Sequence, residues 1–392
     1  MKIGDLCEVV RGSSPRPKSD PRYYGGTVPR LMVADLTRDG KIVSARIDSL
    51  TQLGAKQSRL MQQGDVVIAV SGAPGLPAIL AHEACIHDGF VGLRNLDLKR
   101  ICPNFLYSYL TFIKITNNSQ AVGAIFKNLT TDQIKKIDIP ELPLEEQQRI
   151  ADVLDRAEEL RSKRREAIAQ LDTLTQAIFI EMFGDPVVNP KGWKRLPFAE
   201  LLTNIDSGWS PICLDRPVSG EEWGVLKLGA VTRCEYNPAE NKALPLGINP
   251  YPDLEVKTGD LLFTRKNTYE LVAACALVRA TPSRLLMSDL IFRFRLRPDA
   301  VVNPCFLHQL LIYPTKRRDI QKLAGGSASS MPNISKAKLQ TTLIEVPPLD
   351  LQCKFARRVE AVEKLKAAHR ASLSELDALF ASLQHRAFRG EL

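Results

Sequence analysis

Residues Leu144 to Gly184 read LEEQQRIADVLDRAEELRSKRREAIAQLDTLTQAIFIEMFG, with no proline and no glycine before Gly184. One continuous helix of this length extends ~60 Å at ~1.5 Å per residue. Steps of three and four pick out Ile150, Val153, Ala157, Leu160, Arg164, Ala167, Leu171, Leu174, Ile178 and Glu181, eight of the ten apolar. This narrow stripe predicts a seam for one partner helix. Pro143 precedes the stretch, and Gly184 with Pro186 ends it.

The partner lies in the same chain. At an offset of 205, Leu144, Gln147, Ala151, Glu158, Leu160, Arg165, Leu171, Asp172, Leu174 and Phe183 recur as Leu349, Gln352, Ala356, Glu363, Leu365, Arg370, Leu376, Asp377, Leu379 and Phe388. Composition alone makes helices rich in Ala, Leu, Glu and Arg look similar, but ten identities at one ungapped offset mark a repeat. The second half of the expected seam is then Phe355, Val362, Leu365, Leu376, Leu379 and Leu383.

The repeat extends into the segments before each helix. QQGDVVIAVSG parallels KTGDLLFTRKN at an offset of 195, each a Gly-Asp turn feeding a short apolar run that predicts a buried strand. Asn104–Leu110 and Cys305–Leu311 predict matching helices, and Asn128–Ile139 matches Asn333–Ile344. Between Ser288 and Leu296, alternation puts Leu290, Phe292, Phe294 and Leu296 on one face and Ile291, Arg293 and Arg295 on the other, as in a half-buried strand. The chain divides into a lobe at 1–143, a helix at 144–184, a second lobe at 185–347 and a second helix at 348–392.

The totals suit a soluble protein of two or three domains, 392 residues with 44% hydrophobic and 25% charged. No signal peptide or membrane-length apolar run occurs, and eight cysteines are scattered without a C-x-x-C pair, so a reduced, cytoplasmic setting is expected. The net charge of +9 resides in the lobes. Residues 1–143 carry 18 Lys+Arg against 13 Asp+Glu, and residues 185–347 carry 21 against 16, or +5 each. Two equally basic lobes fit an extended polyanion.

Catalytic motifs fail on spacing. His82 and His87 are five apart, so on a helix they would point ~140° away from each other, and no metal site is expected. Asp253, Glu255 and Lys257 have the residue types of a metal-dependent nuclease, but crowd one short segment better read as a turn. Asn249-Pro250-Tyr251 lacks the second proline of an amino-methyltransferase motif, and no phosphate loop or nucleophile elbow is present. No catalytic residue is assigned.

The candidates for nucleic-acid contact sit in equivalent loops. The first lobe offers Arg11, Ser13, Ser14, Arg16, Lys18, Arg22 and Ser71; the second offers Ser207, Trp209, Arg265, Lys266, Asn267, Tyr269, Lys316, Arg317 and Arg318. Such residues donate to phosphates or to base edges.

VVRGSSPRPKSDPRYYGG, the QQGDVVIAVSG/KTGDLLFTRKN pair, LPLEEQQRIADVLD and the junction EMFGDPVVNPKGW together make the chain resemble the DNA-specificity (S) subunits of type I restriction-modification systems. The likeness covers essentially the whole chain. RKNTYE departs from the small glycine-bearing loop usual after that strand, and LDLQCK is a weaker copy of the LEEQQR helix entry. The resemblance implies two tandem α/β (α+β) target-recognition domains joined by two long helices packed as an antiparallel coiled coil, with an internal pseudo-two-fold repeat. Each lobe would read one half of an interrupted double-stranded DNA site. Two methyltransferase (M) subunits would dock along the helices and restriction (R) subunits would join them. S-adenosylmethionine, ATP and Mg would belong to those partners, none to this chain. The rival readings are a non-catalytic scaffold with two protein-binding lobes on a coiled-coil strut, and a nuclease built on Asp253, Glu255 and Lys257.

Overall fold

The computed structural model describes residues 1–18, 20–119, 130–325 and 331–392. The start of the Asn128–Ile139 match lies outside these residues. The chain packs as two units, residues 1–165 with 371–392, and residues 166–370. Each unit therefore holds one lobe, the start of one long helix and the end of the other.

The first lobe is built on a sheet in the order Glu8–Arg11, Phe90–Arg94, Val66–Ala69, Pro77–Leu80, Ile42–Val43. The second repeats the first four places with Leu202–Ser207, Ile291–Leu296, Leu261–Thr264 and Cys275–Leu277. Register repeats too, with Val66 opposite Leu93 and Leu261 opposite Phe294. A smaller sheet accompanies each. Asp48–Leu50, Tyr24–Leu31 and Ala84–Ile86 recur as Asn241–Ala243, Gly224–Leu226 and Leu285–Leu286, and Arg59–Met61 adds a fourth strand in the first lobe.

The Gly-Asp turns explain the shared entry to the central strand. Gly64 and Gly259 hold φ of 86° and 93°, a region that disfavours side chains. Asp65 Oδ2 accepts from Gln62 N at 2.7 Å, and Asp260 Oδ2 from Lys257 N at 2.9 Å. The strands that follow are buried on both faces, as their unbroken apolar runs predict.

The polar face expected over Ile291–Leu296 is closed at Arg293 and open at Arg295. Arg293 is 1% exposed, its guanidinium held by Asp206 at 2.8 Å and Asp260 at 3.1 Å. The matching strand of the first lobe has Gly92 there, and a Cβ built on it falls 2.4 Å from Met61, which fills that space. One lobe closes this site with an ion triad, the other with apolar packing.

The two long helices span Leu144–Phe183 and Leu349–Ala387. Within each unit their segments run antiparallel. Arg161 donates to Asp377 at 2.6 Å in the first unit, and Lys366 to Asp172 at 2.6 Å in the second. These pairs occupy equivalent places in the repeat, since residues 366 and 377 lie 205 beyond residues 161 and 172.

The buried stripe differs from the expected seam at alternate positions. Ile150, Leu154, Thr175 and Phe179 are buried, as are Phe355, Val359, Val362 and Lys366. Val153, Ala157, Leu171, Ile178, Leu376 and Leu383 are half-buried. Leu160, Leu174, Leu365 and Leu379 are exposed, by 53%, 43%, 53% and 52%. The reason is that each helix packs on a lobe as well as on its partner, which widens the stripe beyond a coiled-coil seam. Ile150, Ala151 and Leu154 join the first lobe's core, and Phe179, Phe183, Phe355 and Val359 the second's.

A buried glutamine fixes each helix start to its lobe. Gln147 accepts from Cys102 N and donates to the Arg100 and Leu142 carbonyls, all at 2.9 Å. Gln352 accepts from Asn303 N and donates to the Val301 and Pro347 carbonyls at 2.7–3.0 Å.

Candidate nucleic-acid interface

Gly12-Ser13-Ser14-Pro15 follows the first sheet strand of one lobe, and Gly208-Trp209-Ser210-Pro211 follows that of the other. Each loop is zipped to the turn that carries the chain from the smaller sheet to the larger one. Ser13 N donates to Ile86 O at 3.1 Å, and Trp209 N to Met287 O at 2.9 Å. The glycines are required by this approach: an added Cβ would lie 2.0 Å from His87 O at Gly12 and 2.2 Å from Ser288 O at Gly208.

Next in each turn stands an aspartate. Ser14 Oγ donates to Asp88 Oδ1 at 2.6 Å, and Ser210 Oγ makes the same bond to Asp289 Oδ1. Asp88 is held below the usual carboxylate range, first by that serine hydroxyl. An arginine faces each carboxylate at 4.0 Å, Arg16 in the first lobe and Arg265 in the second. Arg30, drawn in from the neighbouring strand, donates to Ser14 Oγ at 3.0 Å and to Asp48 at 2.6 Å. Burial, with Arg30 nearby, lowers the His87 pKa.

The sequence candidates divide around this site. Ser13 and Ser14 shape the first loop, Ser13 by donating to Gln57 O at 2.7 Å. Arg11, Arg16 and Lys18 are exposed beside it, and Arg22 is exposed with its guanidinium on Asp20 at 2.7 Å. Ser71 and Ser207 are exposed at strand ends. Trp209 is half-buried, packed edge-on against Tyr251 with ring centroids 4.7 Å apart. Arg265 lies over the Phe292 ring at 5.4 Å, Lys266 is half-buried, and Tyr269 is 54% exposed.

Three candidates serve the fold instead. Asn267 is 8% exposed, accepts from Thr268 N at 2.8 Å and lies within reach of Thr232. Lys316 is 5% exposed and donates to Glu345 and to Leu343 O, each at 2.6 Å. Arg317 reaches the carbonyls of Glu270, Leu271 and Val272 at 3.1–3.4 Å. Only Arg318 of the expected basic cluster is exposed, because a short helix over Pro314–Gln321 turns the three side chains apart. The sequence reading missed Arg30, Asp88 and Asp289. The signal for the aspartates was the Gly-x-Ser-Pro repeat, with an aspartate at a second fixed offset of 201, and Arg30 has no counterpart in the second lobe.

Asp253, Glu255 and Lys257 border a cavity of about 600 Å³ together with Asn204, Asp206 and Arg295. The Glu255 carboxylate accepts from Arg284 N at 2.6 Å, and the Asp253 backbone carbonyl accepts from Arg293 at 2.7 Å. Among the described residues no group of three or more His, Cys, Asp or Glu is placed to hold a metal ion. Among them, too, no helix is long and apolar enough to cross a membrane.

Residues 1–170 match the family described as Type I restriction modification DNA specificity domain. The chain is 35% identical to the EcoEI specificity subunit of Escherichia coli over half of its own length, an alignment that spans 34% of that relative. It is 25% identical over its full length to the EcoKI specificity subunit of Escherichia coli K12, covering 88% of it. The fold is similar to the type I restriction-modification S subunit of M. genitalium, with a TM-score of 0.57 and 13% identity over 99% of this chain and 95% of that one. It is also similar to a chain solved for complex assembly and conformational transition of the type I R-M system, with a TM-score of 0.59 and 19% identity over 100% and 97%. Residues 1–170 thus match the type I restriction-modification DNA specificity domain family, and over its full length the chain is similar to specificity subunits of that kind.

Proposed function

We propose that the chain is the non-catalytic, DNA-reading subunit of a type I restriction-modification complex, in which each lobe reads one half of a bipartite, interrupted site in duplex DNA. The observation that carries this reading is the duplicated loop: Gly12–Pro15 on Asp88 and Gly208–Pro211 on Asp289, with the same hydrogen bonds, on lobes of equal positive charge. Exposed Arg16 and Lys18 beside the first loop, and Arg318 elsewhere on the second lobe, supply phosphate contacts.

The helices set the gap and dock two methyltransferase subunits, one per unit. Leu160 and Leu379 in one unit, and their repeats Leu365 and Leu174 in the other, form matching exposed apolar pairs beside the cross-helix ion pairs. S-adenosylmethionine, ATP and Mg are held by the methyltransferase and restriction subunits. The test is to purify the chain with and without its methyltransferase partner and map methylated sites. The complex is expected to modify one bipartite site and the chain alone none. Methylation by the chain alone, or by the partner without it at the same site, overturns the reading.

A further inference from the structure

An exposed carboxylate in the facing turn stands against each loop. Asp88 is 54% and Asp289 46% exposed at the side chain. Duplex DNA carries one negative charge per ~1.7 Å of axis, so a carboxylate brought to its surface opposes binding. Holding the loop does not require it, because Ser14 and Ser210 each need a single acceptor atom. One carboxylate oxygen is spent on that bond, and the second has an arginine only at 4.0 Å, beyond hydrogen-bond range. The Ser–Asp pair recurs although its neighbours differ, Ser13 against Trp209 and His87 against Ser288.

An ionised carboxylate only accepts hydrogen bonds. Phosphate oxygens, guanine O6 and N7, and thymine O4 are acceptors as well, and so repel it. What remains on the major-groove edge is an exocyclic amino group. We propose that Asp88 and Asp289 are specificity-determining residues, each accepting from an exocyclic base amino group, cytosine N4 or adenine N6, in its own half-site. This rests on the DNA-reading function proposed above. The serine fixes the carboxylate direction, and the flanking cations offset its repulsion from the backbone.

The test uses the complete complex with its methyltransferase, carrying Asp88→Asn or Asp289→Asn. The amide oxygen still accepts from the serine, so the loop is retained, while the amide nitrogen now tolerates acceptor bases. Sequencing of methylated sites should show one base pair of one half-site relaxed toward guanine or thymine in the first variant, and one base pair of the other half in the second. Discrimination at that position should fall roughly 5- to 150-fold. The wild-type site itself tells cytosine from adenine. Competition binding with duplexes changed at single positions gives the same readout where methylation is slow. An unchanged preference in both variants at every position overturns the inference and leaves the DNA-reading function standing. A wild-type complex with no bipartite site overturns both.

Discussion

Arg161 and Asp377 join the two long helices at 2.6 Å within the first unit, and the residue 205 before Asp377 is also an aspartate, Asp172. The first helix by itself therefore carries both members of the cross-helix pair. It also carries Phe183, the counterpart of Phe388, which packs on Phe105 and Tyr109 with ring centroids 5.7 and 5.2 Å away. A fragment of residues 1–184 should dimerise, with Arg161 of each copy on Asp172 of the other and Phe183 in the place of Phe388. Light scattering should give twice the fragment mass, and Asp172→Arg should yield monomer. With the methyltransferase, the fragment should direct modification to an inverted repeat of the first half-site. Modification at the original asymmetric site would contradict this.

Gly12→Ala and Gly208→Ala should each disable one lobe. The new methyl group meets backbone oxygen within 2.2 Å, so the loop must leave the turn it is bonded to. Strain of about 1–3 kcal/mol is expected. Gel-shift titration should show weakened DNA binding, with a small change in melting temperature, because the loop lies outside the lobe cores.

Lengthening the first helix should move the half-sites apart. Four residues inserted near Ala169 add ~6 Å and ~40° of rotation. With ~3.4 Å per base pair, the gap should grow by one or two base pairs while both half-sequences stay the same. The effect is smaller if the second helix resists. Mapping methylated sites decides it, and an unchanged gap in an active complex removes the ruler role.

The second lobe should weaken in acid. His308 Nε2 lies 3.1 Å from the Cys234 and Cys275 carbonyls, and burial, chiefly, brings its pKa down to about 4. The unfolded chain takes up a proton near pH 6.5, before the folded chain does. Stability is therefore full above pH 6.5 and falls as pH drops toward 4, by at most about 3 kcal/mol. Thermal melts between pH 7.5 and 5 should show this, and His308→Gln should flatten the slope.

The duplicated helices were legible because helical period and a fixed offset both survive in sequence. The seam was not fully legible. A 3.5-residue stripe describes contact with one partner helix, whereas Leu154, Phe179 and Val359 also face lobe cores that the sequence does not display. Arg293 was read as open because alternation cannot show that Asp206 and Asp260 close over it. Lys316 and Arg317 looked like a basic patch, yet their partners Glu345 and Leu271 lie 29 and 46 residues away. The aspartates of the loops stayed hidden for the opposite reason: a search for positive charge passes over acids.

Phe388 closes the core of a lobe that begins at residue 1, alongside Ile3 and Leu6. That lobe starts before the second lobe and is completed after it, since Phe388 leaves the ribosome only once residues 185–347 have been made. Until then its hydrophobic surface stays open to chaperones or to a second nascent copy. Loss of Phe388 should therefore damage the lobe that holds Ile3 and Leu6, with the whole second lobe lying between them in sequence.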